Sequence, residues 1–143
     1  MTMAKVLLID DESGFLEVLS KRLETRNLSI VTALSGEAGL KALGKDHALD
    51  VVILDVKMPG LDGIQTLQMI KKDFPLVEVI MLTGHATVET AIEGMKLGAF
   101  DYLMKPCDID LLVQKVQEAK EKKAKHEEKI VQAQLKEITS RMA

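Results

Sequence analysis

The chain has no tryptophan, one tyrosine, one cysteine and three prolines in 143 residues. A single cysteine, Cys107, excludes an internal disulfide and fits a reducing compartment. Without tryptophan, Tyr102 is left as the near-ultraviolet reporter. No apolar run reaches membrane length and no signal-peptide pattern is visible, so the expectation is a cytoplasmic protein with no membrane partner. Strong charge of one sign is missing too, the net being −3. Residues 1–106 hold 15 acids and 11 bases, and residues 107–143 hold 7 and 8, which gives no basic face for direct nucleic-acid binding. No repeat or low-complexity segment interrupts the first 106 residues.

What is present is an ordinary globular balance, 47% hydrophobic and 29% charged, in a length that suits one domain with a full core. Val51-Val52-Ile53-Leu54 is a run of branched apolar residues that reads as a strand buried on both faces. It stops at Asp55, and a Pro59-Gly60 turn follows shortly. Four other strands are expected: Ala4–Ile9 before Asp10-Asp11-Glu12, Leu28–Ala33 nearer a sheet edge, Val77–Thr83, and Phe100–Lys105 closed by Pro106. Helices are expected between them. They run from Ser13 to about Arg26, from the cap Ser35 to Leu43, over Gly63–Asp73 behind an Asp62/Gln65 capping box, over Thr87–Leu97 up to Gly98, and onward from the cap Asp108. The strands end near 10, 33, 55, 83 and 105, a spacing that fits successive βα units. Right-handed crossovers then require a parallel, doubly wound α/β sheet with helices on both faces.

The carboxyl edge of such a sheet collects Asp10, Asp11, Glu12, Asp55, Thr83 and Lys105. Taken singly, each is an ordinary strand-end cap or solvated loop residue. As a set, on four of five strand ends, they describe a chemistry. Neighbouring carboxylates repel unless a cation lies among them, and an all-oxygen set favours a hard ion such as Mg²⁺. An ammonium and a hydroxyl facing that ion make a clamp for a tetrahedral dianion, with Asp55 able to attack phosphorus and carry an acyl phosphate.

These residues stand in motifs: Leu8-Ile9-Asp10-Asp11-Glu12, Leu54-Asp55 with Met58-Pro59-Gly60-Leu61-Asp62-Gly63, Leu82-Thr83-Gly84, and Phe100-Asp101-Tyr102-Leu103-Met104-Lys105-Pro106. In that order and spacing, the chain resembles a two-component response-regulator receiver domain over residues 4 to about 120. The resemblance implies a flavodoxin-like sheet in order 2-1-3-4-5. It implies Mg²⁺-dependent phosphoryl transfer to Asp55 from a sensor histidine kinase, a histidine phosphotransfer protein or a small donor. Asp10, Asp11, Asp55 and the backbone carbonyl of Lys57 would hold the ion, Asp10 through water. Thr83 and Lys105 would contact the phosphoryl group, Thr83 and Tyr102 would form the switch, and Lys105–Pro106 would be a cis peptide. Lys57 and His85 occupy positions that tune the phosphoryl lifetime in the family. A receiver is a phosphoacceptor that assists its own reaction rather than an enzyme, and its output goes to a downstream protein. The competing class, an aspartyl-phosphate hydrolase, wants an acid two residues after the nucleophile, where this chain has Lys57, and a substrate cap with no matching insertion.

Residues 1–120 are therefore expected to be the receiver and 121–143 a helical extension or linker. Only Ile109, Leu112, Val113 and Val116 are needed to cover the sheet from the last helix. Residues 118–129 are dominated by mixed charge and read as solvated, and His47 and His126 read as solvent-facing. Val131, Leu135, Ile138 and Met142 then form an apolar stripe with two readings: a seam for weak homodimerisation, or a plain linker. No output-domain motif follows. The wording of Ala99-Phe100-Asp101-Tyr102-Leu103 resembles receivers attached to ATPase-type transcription activators, so the chain acts either alone by protein contact or as the receiver of a longer regulator.

Overall fold

Every apolar run singled out in the sequence becomes a strand of one sheet. The computed structural model describes residues 3–142. Along it run β1 (Ala4–Ile9), α1 (Ser13–Glu24), β2 (Leu28–Ala33), α2 (Gly36–Lys45), β3 (Val51–Leu54), α3 (Gly63–Asp73), β4 (Glu78–Thr83), α4 (Val88–Lys96), β5 (Asp101–Met104) and α5 (Ile109–Met142). The strands are all parallel, in order β2-β1-β3-β4-β5, which is the expected topology with β2 at an edge.

Period-two alternation sorts the strand side chains into two layers. Val6, Leu8, Val51, Ile53, Ile80 and Leu82 face α1 and α5, where they meet Leu16, Leu19, Leu23, Leu112 and Val116. Leu7, Ile9, Val52, Leu54, Val79 and Met81 face the other way, onto Leu43 of α2 and Leu67 and Ile70 of α3. A sheet covered on both faces needs strands apolar at every position, which is why the runs read as continuous rather than alternating.

Local chemistry sets the helix starts. The Ser35 hydroxyl accepts from Ala38 N–H at 3.1 Å, and the Asp62/Gln65 and Thr87/Thr90 pairs each form a reciprocal capping box. Asp108 accepts from Leu111 N–H at 3.3 Å ahead of α5. Several ends differ from expectation: β4 starts one residue later, at Glu78, and α4 and β5 are each one residue shorter at both ends. Helix α1 stops at Glu24 rather than near Arg26 because the chain turns through Asn27 at φ 65°. Helix α2 runs two residues past Leu43, to Lys45.

The larger difference lies in α5. Its covered face does not stop at Val116: Ala119 is fully buried and Lys123 is 8% exposed. Lys123 Nζ sits 3.2 Å from Asp50, just before β3, and Lys122 Nζ sits 3.2 Å from Glu78, the first residue of β4. Glu78 is itself buried and also receives Lys71 at 3.2 Å. His126, expected in solvent, is half-buried. The mixed-charge segment thus clamps the helix to the amino-terminal edge of the sheet before it leaves the body. A chain ending at Lys120 is expected to unfold at lower urea, by about 1–2 kcal/mol, because Glu78 and Asp50 lose partners where water cannot replace them fully. Equal midpoints for the two chains would show that the clamp contributes nothing.

Candidate functional site

The hydrogen-bond ladder continues one residue beyond the strands and sets the positions of the edge groups. Asp10 N–H donates to Ala33 C=O at 3.1 Å, Asp55 N–H to Ile9 C=O at 3.0 Å, and Lys105 N–H to Thr83 C=O at 2.9 Å. Asp10, Asp55 and Lys105 are therefore held by the sheet itself. Asp10 and Asp55 are buried, at 2% and 3% exposure, and Thr83 is fully buried as the last residue of β4.

Four carboxylates, those of Asp10, Asp11, Glu12 and Asp55, bring ligand oxygens within 4.8 Å of one another. Asp10 is the most committed: one oxygen accepts from Glu12 N–H at 3.0 Å and the other takes the Lys105 ammonium at 2.7 Å. Lys105 also lies 3.8 Å from Glu12. One ammonium against four carboxylates leaves an excess of negative charge on an all-oxygen donor set, so the residues fit a hard divalent cation. Glu12, which the expected ligand set omits, belongs to this group in space. Asp11 and Glu12 are exposed and face an open cleft of about 340 Å³ that Asp55, Lys57, Met58, Pro59 and His85 also line.

Burial raises the Asp55 carboxyl above its ordinary pKa of 3.8, and the charge of Asp10 adds to the rise. The Thr83 hydroxyl, the Lys105 ammonium and the Val56 N–H, 2.8 Å from Asp55 Oδ1, pull it back down. Thr83 Oγ1 also accepts from His85 N–H at 3.0 Å, which ties the loop after β4 to the same hydroxyl. Lys105–Pro106 is a cis peptide.

Tyr102, on β5, lies outside this cluster on the α4 side of the sheet. Its hydroxyl shares a 2.8 Å hydrogen bond with Thr90 Oγ1, so it joins the capping box that starts α4. Sequence reasoning missed this partner, together with two others. Glu37, in the first turn of α2, accepts from Leu61 N–H at 3.1 Å and so holds the loop that carries Met58-Pro59-Gly60. Phe15 lies under Lys105. No local pattern marks either residue, since their partners are distant in the chain.

A family model for the response regulator receiver domain matches residues 6–117. The chain belongs to the response-regulator receiver family. Among curated relatives, this receiver is 40% identical to transcriptional regulatory protein GlrR of Escherichia coli, over 85% of the present chain and 27% of that protein. It is also 40% identical to the DNA-binding transcriptional regulator NtrC of Klebsiella pneumoniae, over 78% of this chain and 24% of the relative. The receiver thus spans about a quarter of the length of these relatives. Among solved structures, a response regulator receiver domain protein from Clostridium thermocellum superposes with a TM-score of 0.81 at 42% identity, covering 85% of this chain and 97% of that one. NtrX from Brucella abortus gives a TM-score of 0.81 at 32% identity, covering 90% of this chain and 29% of that one. Receivers act in two-component signal transduction and generally use Mg²⁺, and the acidic group here is one that can hold such an ion. Among the described residues, no helix is long and apolar enough to cross a membrane.

Proposed function

We propose that Asp55 of this receiver accepts a phosphoryl group from a sensor histidine kinase or a histidine phosphotransfer protein, and that the change is read on the α4–β5 side of the sheet. The observation that carries this is the placement of one buried carboxylate, Asp55, among three other acids, a hydroxyl and an ammonium. In this reading an Asp55 carboxylate oxygen attacks phosphorus in line with the departing group. Lys105 neutralises one phosphoryl oxygen and the Thr83 hydroxyl donates to another. Asp10, Asp11, Asp55 and the Lys57 carbonyl would hold Mg²⁺, which when bound supplies positive charge to the remaining oxygens. In this reading the protein assists its own phosphorylation and dephosphorylation.

Thr83 and Tyr102 serve as the switch. When the Thr83 hydroxyl turns to the phosphoryl group, its hold on the His85 N–H changes, and the loop leading to Thr87 and α4 changes with it. Tyr102 reads that change through Thr90. Helix α4 and β5 present Val88, Ile92, Met95 and Met104 to solvent, an apolar surface suited to a downstream protein. We place the protein in the cytoplasm, acting either through protein contacts by itself or as the receiver part of a longer regulator such as the relatives of which it covers about a quarter.

Incubation with phosphoramidate and Mg²⁺ is expected to introduce one base- and hydroxylamine-labile phosphate per chain, and none in Asp55→Asn. Undiminished labelling of that variant would remove Asp55 from the role.

The end of α5 supports weak self-association. Val131, Leu135, Ile138 and Met142 are 52%, 58%, 51% and 83% exposed on one continuous helix, and a second chain is the natural cover for such a stripe. A chain ending at Glu128 keeps Lys122 and Lys123 and is expected to be as stable as the full chain but strictly monomeric in sedimentation. If the full chain sediments as a monomer at the same high concentration, phosphorylated or not, the tail is a linker only.

A further inference from the structure

We infer that Phe15 is a positioning residue for phosphoryl transfer, its ring face holding the Lys105 ammonium against Asp10 and toward Asp55. This rests on the reading of Asp55 as the phosphoacceptor. Lys105 Nζ lies 3.9 Å from the centroid of the Phe15 ring, well inside the range of a cation–π contact. The same nitrogen is 2.7 Å from Asp10 and 3.8 Å from Glu12, and the lysine side chain is only 15% exposed. Three neighbours therefore share one ammonium, and they differ in what they do to it. Asp10 anchors it within the site. Glu12, with its side chain 64% exposed, draws it outward to solvent. The ring closes a third side and gives the charge a dry, electron-rich surface with no competing hydration.

The placement of Phe15 follows from the fold. It sits in the first turn of α1, directly after the acidic residues, and is half-buried against the same core layer as Leu82. Asp10, Phe15 and Asp55 are among the residues bordering one small void of about 10 Å³. On its outer side Phe15 shares a shallow hollow with Lys105, Pro106 and Cys107. Removing the ring opens that hollow to water, and the ammonium gains a hydrated position near Glu12. An aliphatic residue of similar size fills the space but offers no charge-stabilising face.

In the reaction with phosphoramidate, the Asp55 oxygen forms the new P–O bond as the donor's P–N bond breaks. The donor's nitrogen is already protonated at neutral pH, so it leaves as neutral ammonia with the bonding pair and the total charge is unchanged. Negative charge gathers on the phosphoryl oxygens during this step, and a displaced ammonium meets it less well.

The test compares phosphoramidate labelling rates in wild type, Phe15→Leu, Phe15→Met and Phe15→Tyr, with Asp55→Asn as the unlabelled control. Phe15→Leu and Phe15→Met are expected to be about 3–10-fold slower at unchanged melting temperature, and Phe15→Tyr within about twofold of wild type, since tyrosine keeps the π face. A second readout is independent of the reaction. Ring currents should shift the Lys105 side-chain methylene protons upfield in metal-free wild type and Phe15→Tyr, and Leu or Met should abolish the shift. Rates in Phe15→Leu and Phe15→Met equal to wild type would overturn the inference. So would a Phe15→Tyr variant as slow as they are, or unshifted Lys105 protons in the wild type. If Leu at this site prevents folding, the Met and Tyr pair decides. Absence of labelling in wild type, or labelling of Asp55→Asn, is a failure of the phosphoacceptor reading and is recognised before any Phe15 variant is compared.

Discussion

Replacing Gly63 by alanine is expected to cost about 3 kcal/mol of stability and to slow phosphorylation of Asp55, a combination that few single methyl groups produce. Gly63 opens α3, and its N–H donates to Val56 C=O at 2.8 Å, which draws the helix start onto the backbone just after Asp55. A Cβ there would lie 2.1 Å from the Asp55 carbonyl oxygen, 2.6 Å from Val56 Cα and 2.9 Å from the Asp55 carbonyl carbon. All three are backbone atoms, so no rotamer change relieves the overlap. Either α3 moves away from the sheet or the backbone of Asp55 moves, and the carboxylate with it. Gly44 is the control. A Cβ at Gly44 meets nothing within 4 Å, and the residue lies in the last turn of α2, so Gly44→Ala is expected to be neutral or stabilising by up to about 1 kcal/mol. Urea midpoints and labelling rates of the two variants check this, and a Gly63→Ala protein indistinguishable from Gly44→Ala would refute the close approach.

Asp55→Asn is expected to raise the stability of the metal-free protein at neutral pH by about 1–2 kcal/mol while abolishing its chemistry. Burial lifts the Asp55 carboxyl above 3.8, Asp10 reinforces the rise, and Thr83, Lys105 and Val56 only partly oppose it. An acid whose pKa is raised by folding keeps its proton in the folded chain at a pH where the unfolded chain has lost it. Folding therefore takes up a proton in that interval. Stability contributed by this group falls as pH rises from 3.8 through the folded pKa and stays lower above it. Asparagine carries no such cost, so the variant's advantage should be present at neutral pH and shrink on acidification into the carboxylate range. Mg²⁺ should narrow this gap by mass action, adding about 1.4 kcal/mol to the wild type at tenfold excess over its dissociation constant and less to the variant. Thermal unfolding across pH, with and without Mg²⁺, gives both slopes. An Asp55→Asn protein no more stable than wild type at neutral pH would show that the site compensates the charge without a metal.

Much of the fold was legible because its determinants are local. β1, β2 and α3 have the expected bounds, since a run of branched apolar residues or a reciprocal Asp62/Gln65 box acts within a few residues of itself. The acidic group was legible for a related reason: its members directly follow the ends of β1 and β3, and parallel crossovers bring strand ends to one edge. The misread segment is instructive. Lys122 and Lys123 lie in a mixed-charge stretch that looks solvated, and their partners Glu78 and Asp50 are 44 and 73 residues away. Nothing in a local window distinguishes a lysine that meets water from one that meets a buried carboxylate.

The same distinction separates what the sequence by itself determined from what only the tertiary structure decided. Apolar runs, caps and turns were enough for the order of elements, the parallel sheet and the edge at which Asp10, Asp55, Thr83 and Lys105 collect, because burial of apolar surface is non-directional and needs only the right pattern. Which group faces which was left to the fold. That Phe15 lies under Lys105, that Thr90 meets Tyr102, that Glu37 holds Leu61 and that Gly63 presses on Asp55 are matters of direction and ångström distance. Ion pairs, hydrogen bonds and steric contacts act over a few ångströms between residues remote in the chain, so their partners exist only once the sheet and its two helical layers have closed around them.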